Sequence, residues 1–462
     1  MRAMGYEGRR VGVFGLARSG IATARALADG GATVVAWDDN PRGREAATKA
    51  GIGLLDLSAA DLRGLASLVL SPGVPLTHPE PHPVVRGARD AGVEIVGDIE
   101  VFARAKPEAR LVGVTGTNGK STTTALIGHI LRESGRRVEV GGNIGTPIMD
   151  LARLGADGVY VLELSSFQID LCQAVDCDVA VLLNISPDHI DRHGSMEGYI
   201  AVKRRLFAMQ RAGRVAVIGC DDAWSRETRD RLIAGGRHRV VPISAEAPVA
   251  GGVFVREGYL VDSTGGVERR IVDLASAAPR LPGRHNWQNI SAAYAAVRAL
   301  GVVASDAVSA IASFPGLAHR LEFVGEAKGV AFVNDSKATN ADAAARALDC
   351  YRDIYWIAGG RPKEGGIEPL RPYFERVRRA YLVCEAAEGF AATLGSSVPH
   401  VASKTLDRAV ADAFRDARRD GAARPVVLLS PACASYDQFA NFEARGDAFR
   451  AHARALIGSE DA

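Results

Sequence analysis

Val112-Gly-Val-Thr-Gly-Thr-Asn-Gly-Lys-Ser-Thr122 follows an apolar run and leads into a helix-like segment, Thr123 to Leu131. Glycines in such a stretch turn backbone N–H groups toward an anion, the following helix presents its positive N-terminus, and a lysine adds a point charge. Gly116, Thr117, Asn118, Gly119, Lys120, Ser121 and Thr122 therefore read as the cradle of a nucleoside triphosphate, with Ser121 or Thr122 placed to hold Mg²⁺. The strict Walker spacing would put a glycine at position 114; Val114 stands there, and Gly116 makes the loop shorter. A strand, this loop and a helix in succession predict an α/β chain.

Apolar runs alternating with helical segments on either side of the loop predict a mostly parallel sheet, in which ligands gather beyond the carboxyl ends of the strands. Three polar stretches just after apolar runs qualify: Gly141-Gly-Asn-Ile-Gly145, Glu163-Leu-Ser-Ser-Phe-Gln168 and Asn184-Ile-Ser-Pro-Asp-His-Ile-Asp-Arg-His193. Their order allows Glu163 and His189 to flank the loop. Hard Mg²⁺ prefers oxygen ligands, which makes Ser121 and Glu163 the first choices and His189 the less usual one. Between Ser195 and Gln210 a helix is expected whose apolar stripe is Tyr199, Val202, Leu206, Phe207 and Met209. Lys203 is the one cation that this periodicity turns inward; it either snorkels to water or loses its proton readily and becomes reactive.

Toward the N-terminus, residues 9 to 40 read as strand, glycine turn, alanine-rich helix from about Ile21, and a second strand ending at Asp38 and Asp39. The dinucleotide fingerprint is incomplete because Ala17 stands where its middle glycine belongs, so a nucleotide site and a plain tight turn both fit. A buried strand ending in a turn is expected over Leu68–Pro75, and a short strand at Val93–Val96. Proline and charge between Arg104 and Arg110 mark a linker. Residues 211 to 280 read as strands and turns without motif content. Arg284-His-Asn-Trp-Gln-Asn-Ile290 opens a helix whose Asn286 and Asn289 can bind a base or cap the helix itself. A third α/β region begins near Leu317, with polar loops after the runs at 331, 354 and 426.

The chain has 462 residues, more than one core normally serves, and a net charge of +2. It carries no run of like charge that would mark a nucleic-acid or membrane-surface protein. No stretch reaches the roughly 18 apolar residues that cross a bilayer, and Met1 to Arg10 lacks a signal-peptide core, so a cytoplasmic location is expected. Six cysteines without C-x-x-C or zinc spacing suit reduced thiols serving as small core residues.

Gly-Thr-Asn-Gly-Lys-Ser-Thr122, Asp-His-x-Asp at 188 to 191, His-Asn-x-x-Asn289, His-Arg320 with Glu322, and Asn-Asp-Ser-Lys-Ala-Thr-Asn340 resemble the ATP-dependent Mur ligases of peptidoglycan synthesis over essentially the whole chain. The block Ser-Pro-Ala-Cys-Ala-Ser-Tyr-Asp-Gln-Phe-Ala-Asn-Phe-Glu-Ala-Arg-Gly446 and the short first domain are similar to the D-glutamate-adding members.

The resemblance implies three domains: a Rossmann-like domain at 1–100 for a UDP-sugar-peptide, a central P-loop-type ATPase domain at 101–316, and a Rossmann-like C-terminal domain at 317–462 for D-glutamate. It implies ATP-driven amide formation between UDP-N-acetylmuramoyl-L-alanine and D-glutamate through an acyl phosphate, by a cytoplasmic monomer using two Mg²⁺ ions, with Mn²⁺ an acceptable substitute. Lys120, His189 and Lys203 become the catalytic residues. Ser121 and Glu163 hold one ion; His189 and Lys203, carbamylated, hold the second. Asn286 and Asn289 meet adenine, and Arg320 and Asp335 serve ATP. Asn143, Ser71 and Gly73 fall to the muramoyl substrate, and Lys337, Thr339, Lys363, Ser435 and Phe442 to D-glutamate. Leu16, Ala17, Arg18, Ser19, Asp38, Asp39 and Asn40 occupy the region that receives uracil and pyrophosphate.

Rival readings are a ligase of another amino acid, a folylpolyglutamate synthetase, a nicotinamide-dependent oxidoreductase built on residues 9 to 40, and a non-catalytic nucleotide switch. Ala17 and the triphosphate loop weigh against the oxidoreductase. A switch leaves the loops at 335, 363 and 435 without a task.

Overall fold

A computed structural model describes residues 1–105, 108–362 and 365–458. It divides into two compact units, one of Met1–Ala277 with Asn286–Ser313, the other of Ala278–His285 with Phe314–Ala462.

The first unit contains two sheets. Strands β1 (Arg10–Phe14), β2 (Thr33–Trp37), β3 (Ser67–Leu70) and β4 (Glu94–Val96) form a parallel sheet in the order β2-β1-β3-β4. The helix Arg18–Asp29 provides the crossover from β1 to β2, as the strand-turn-helix reading requires. The second sheet holds β5 (Arg110–Thr115), β6 (Val138–Gly142), β7 (Val159–Glu163), β8 (Val179–Leu182), β9 (Val215–Gly219), β10 (Arg239–Ser244), β11 (Val253–Arg256), β12 (Tyr259–Asp262) and β13 (Arg269–Asp273). Their order is β13-β12-β11-β10-β9-β8-β5-β7-β6, parallel from β6 to β11 and antiparallel through the last two pairs.

Strands covered on both faces must be apolar throughout, and β7 and β8 are buried at every position. Because β5 lies between β7 and β8, the loops after all three leave the same edge of the sheet. The phosphate-loop helix runs Lys120–Glu133, three residues earlier than the apolar pattern indicates, because left-handed Gly119 starts it. Within 211 to 280 the structure adds a helix, Ala223–Gly235, where only strands and turns were expected. Only Ser225 and Thr228 of it are buried, so it has no apolar periodicity to read, and the Asp222 side chain caps it by accepting from Ser225 N–H.

The second unit has one six-stranded sheet of β14 (Glu322–Ala327), β15 (Val330–Asn334), β16 (Ile354–Gly359), β17 (Val377–Val383), β18 (His400–Lys404) and β19 (Val426–Leu429), ordered β14-β15-β19-β16-β17-β18. All its pairs are parallel except the β14–β15 hairpin. The six cysteines are free thiols; four are buried, whereas Cys350 and Cys384 are half-buried rather than core residues.

Candidate active site

The loop after β5 is shaped by two glycines. Gly119 has φ +85°, and a Cβ there would lie 2.2 Å from Asn289 Oδ1. Gly116 has φ +151° with Leu183 3.0 Å from the corresponding position. Neighbouring loops brace the cradle. Asn118 N–H donates to Asn184 Oδ1 at 2.9 Å, Asn184 Nδ2 donates to Asn118 O at 3.2 Å and to Gln288 Oε1 at 2.9 Å, and Thr117 N–H donates to Asn184 O at 2.9 Å. Thr117 Oγ1 lies 3.1 Å from the Tyr199 hydroxyl.

Asn286 and Asn289 are both buried inside the helix Arg284–Ala299. Asn289 Nδ2 donates to Asn286 Oδ1 at 3.0 Å, and Thr123 Oγ1 donates to Asn289 Oδ1 at 3.2 Å. The pair is thereby tied to the phosphate-loop helix.

The predicted companions of the loop converge on the same edge. Glu163 ends β7 and is 2 % exposed; its Oε1 accepts from Asn143 Nδ2 at 2.7 Å, while Oε2 is buried without a hydrogen-bond partner. An orphaned buried carboxylate oxygen is costly unless a cation or donor meets it, so this atom fits a metal ion. Asn143 thus orients Glu163, a link that sequence spacing does not reveal. His189 adopts left-handed backbone (φ 53°) ahead of the short helix Ile190–His193, with its ring 4.8 Å from that of Phe167. Among the described residues no three His, Cys, Asp or Glu side chains cluster as metal ligands.

Lys203 lies on the helix Met196–Ala208 and is 1 % exposed. Its Nζ donates to Gly116 O at 2.9 Å and sits 4.6 Å from the centre of the Tyr199 ring. Lys120 Nζ donates to the same Gly116 O at 2.9 Å and to Thr117 O at 2.8 Å. Burial holds the Lys203 amine well below its ordinary pKa; the Lys120 cation adds to the effect, and Asp188 opposes it. The helical stripe thus places the lysine correctly, and Ile200 joins the buried face beside it. His193 donates to or accepts from Ser166 Oγ at 2.9 Å and is pushed down to about 4, mainly by burial and then by the His189 and Lys203 charges.

At the carboxyl edge of the first sheet, Gly15 has φ +96°, and a Cβ there would be 2.4 Å from Ser71 Cβ. Asp38 accepts from Leu16 N–H at 2.5 Å and from Asn40 N–H at 2.7 Å, fastening the glycine turn to the end of β2. Gly73 is exposed, and a side chain there would meet nothing within 4 Å. Arg192, absent from the sequence-based set, donates to Pro72 O at 3.0 Å and to Val74 O, on either side of Gly73. Its position immediately after the Asp-His-x-Asp block was the available signal, but there the acid and imidazole positions draw the attention.

In the second unit, Asp335 directly follows β15, accepting from Ser430 Oγ at 2.9 Å and Leu321 N–H at 3.2 Å; burial raises its pKa to about 7. Arg320 lies between His319 and Leu321, both at positive φ. Lys337 Nζ is 3.8 Å from the centre of the Phe442 ring. Thr339 N–H donates to Lys337 O at 2.8 Å, and Ser435 is buried. Lys363 lies outside the described residues. Buried Arg445 was missed: it donates to Ser336 Oγ at 3.0 Å, Ser336 O at 2.9 Å and Cys433 O at 3.1 Å, joining the loops that carry Lys337 and Ser435.

The family model for the Mur ligase middle domain matches residues 114–297, and that for the Mur ligase, glutamate ligase domain matches residues 319–433. UDP-N-acetylmuramoylalanine--D-glutamate ligase of Phenylobacterium zucineum is 54% identical, covering 99% of this chain and 99% of its own. The chain belongs to the Mur ligase family. The protein of the same name from Rhodospirillum rubrum is 52% identical over 97% of this chain and 96% of its own. The fold agrees with solved Mur ligases: MurC of Thermotoga maritima superposes with a TM-score of 0.58 at 16% identity, covering 97% of this chain and 99% of that one. MurF of Acinetobacter baumannii gives 0.57 at 20% identity over 79% and 82%. As a Mur ligase the protein is an ATP-dependent enzyme of peptidoglycan precursor synthesis.

Proposed function

We propose that the protein activates the terminal carboxylate of UDP-N-acetylmuramoyl-L-alanine with ATP and joins it to D-glutamate. The observation that carries a carboxylate-activating ligase rather than a simple ATPase is buried Lys203, sharing the Gly116 carbonyl with Lys120 at the floor of the phosphate loop. The choice of D-glutamate rests on the names of full-length relatives such as that of Phenylobacterium zucineum.

In this reading residues 1–100 hold the UDP-linked substrate, 101–316 bind ATP and 317–462 bind D-glutamate. The substrate carboxylate oxygen attacks the γ-phosphorus, the bond to the β-phosphate oxygen breaks, and ADP leaves an acyl phosphate. The amine of D-glutamate then attacks the acyl carbon, expelling phosphate and losing a proton as the amide forms. Lys120 turns from the loop carbonyls to the phosphates, neutralising charge that grows on the leaving ADP. Loop N–H groups orient the phosphates, and Asn286 and Asn289 set the helix face that meets adenine. Ser121 and Glu163 hold one Mg²⁺, and His189 with carbamylated Lys203 a second; Mn²⁺ suits the same donors. When bound, these ions supply positive charge against phosphate oxygens.

A low-pKa lysine reacts with CO₂ as the free amine, releasing a proton and leaving a carboxylate-like oxygen pair. Equilibration with labelled bicarbonate should place a carbonyl carbon on Lys203. Arg320 and Asp335 serve ATP, while Lys337, Thr339, Lys363, Ser435 and Phe442 frame D-glutamate. Asn143, Ser71 and Gly73 contact the muramoyl substrate. We assign the enzyme to the cytoplasm as a monomer; no helix among the described residues is long and apolar enough to cross a membrane.

The deciding assay combines protein, ATP, Mg²⁺, UDP-N-acetylmuramoyl-L-alanine and single amino acids, and measures ADP release. Stimulation by D-glutamate alone is expected. Turnover with a folate, or with a different amino acid in preference, overturns the assignment.

A further inference from the structure

Arg192 stands at the junction of three segments of the first unit. Its guanidinium donates to the carbonyls of Pro72 and Val74, in a turn closed by Val74 N–H donating to Ser71 O at 3.0 Å. The same guanidinium lies 5.1 Å from the centre of the Phe167 ring, which also packs on His189 at 4.8 Å and on His193 at 5.6 Å. Phe167 belongs to the helix Ser166–Asp170 that follows Glu163. A second contact supports the junction: Gly194, with φ +78°, leaves no room for a side chain, since a Cβ would lie 2.5 Å from His78 Nε2.

Among the described residues the hydrogen bonds of Arg192 go to backbone carbonyls and not to a carboxylate. Burial lowers its pKa from the ordinary value, a cost that surface attraction for an anion does not require. Both hydrogen bonds leave one terminal nitrogen, Nη2, so the two carbonyls converge on a single donor while the rest of the planar guanidinium lies over the Phe167 ring; a lysine ammonium, a compact point charge, cannot meet both carbonyls and cover the ring at once.

We propose that Arg192 is a positioning residue for the UDP-linked substrate: it clamps the Ser71–Val74 turn to the segments bearing Glu163 and His189. The clamp sets the distance between the turn that receives the substrate and the groups that hold the metal. This rests on the reading of the site given under Proposed function, in which Ser71 and Gly73 meet that substrate. The reacting carboxylate is therefore placed by a contact remote from it, and small misplacements of that kind are expensive in rate.

The test compares Arg192→Lys and Arg192→Met with the unmodified enzyme by steady-state kinetics for each substrate. Direct titration of UDP-N-acetylmuramoyl-L-alanine into the full-length protein provides a measurement independent of turnover. Both variants should raise the KM and the dissociation constant for that substrate by about tenfold or more, with kcat also reduced, while the KM for ATP stays within about twofold. Recovery of wild-type values by Arg192→Lys overturns the clamp in favour of simple charge attraction. Equal changes for all substrates, or a lowered melting temperature with an unchanged KM, overturn it in favour of general packing. Should both variants fail to fold, His78→Ala probes the same junction through Gly194; an unchanged dissociation constant there counts against the proposal. If the unmodified protein neither binds nor turns over this substrate, it is the functional reading that fails.

Discussion

Replacing Lys203 with methionine tests the buried amine directly. Methionine has similar length and needs no hydrogen bond, so it fills the space between Tyr199 and the phosphate loop with little strain. In the native protein the amine is 1 % exposed, has Gly116 O and the Tyr199 ring as its partners, and lies near the Lys120 cation. Its folded pKa is depressed from the ordinary 10.5. Between that lowered value and 10.5 the unfolded chain binds the extra proton and the folded chain does not. Native stability therefore rises with pH across this window, by up to about 1.4 kcal/mol per pH unit from this one group.

The Lys203→Met protein lacks this contribution. It should be more stable than the native protein at neutral pH, and the advantage should shrink toward pH 10.5 while ligase activity is lost throughout. Urea unfolding of both proteins in CO₂-free buffers, at unit pH steps from 7 upward, measures the difference. Coincident slopes of unfolding free energy against pH for the two proteins would refute the account, because the lysine would then titrate alike in the folded and unfolded states.

Gly119→Ala forces left-handed backbone on a residue with a Cβ, costing about 1–2 kcal/mol, and drives that Cβ against Asn289 Oδ1, adding about 1–3 kcal/mol. Thermal unfolding should show the loss, and the KM for ATP should rise more than that for D-glutamate. Asp335→Asn addresses pH in the opposite sense. With its folded pKa raised to about 7 from an ordinary 3.8, Asp335 contributes stability below 3.8 that is lost as pH climbs through 7. The melting temperature of the native protein relative to Asp335→Asn should therefore fall between pH 4 and 8, and a constant difference would show that the carboxyl is ionised at ordinary values.

Functional geometry by itself leaves open why a triphosphate loop is surrounded by so many amides. Asn118, Asn184, Gln288 and Asn289 meet one another or the loop, so the loop backbone is braced by its neighbours, with Asn118 N–H held by Asn184 Oδ1. Preorganisation of this kind avoids spending binding energy on ordering the loop. The same principle applies in the second unit, where Arg445 ties Ser336 to Cys433 and thereby fixes the loops on either side.

Local chemistry determined much of this protein from its sequence alone. Glycine spacing before Lys120 marks a phosphate loop because turn geometry depends on a few adjacent residues, and apolar runs ending in polar loops mark parallel strands for the same reason. Helical periodicity over 196 to 208 sufficed to place Lys203 inside, since a helix fixes which side chains share a face. The helix at 223–235 escaped because its polar face carries no periodic signal.

Other relations required the tertiary structure. Asn143 with Glu163, Asn289 with Thr123, Arg192 with the Ser71–Val74 turn, and Arg445 with Ser336 join residues 20 to 166 positions apart. Such pairs depend on strand order and on which loops leave a common edge, neither of which is encoded in any short stretch. The residue types that can do the chemistry are thus written locally, whereas the contacts that orient them, leave one oxygen of Glu163 without a partner and strip water from Lys203 arise only when strands distant in sequence bring their loops to one sheet edge.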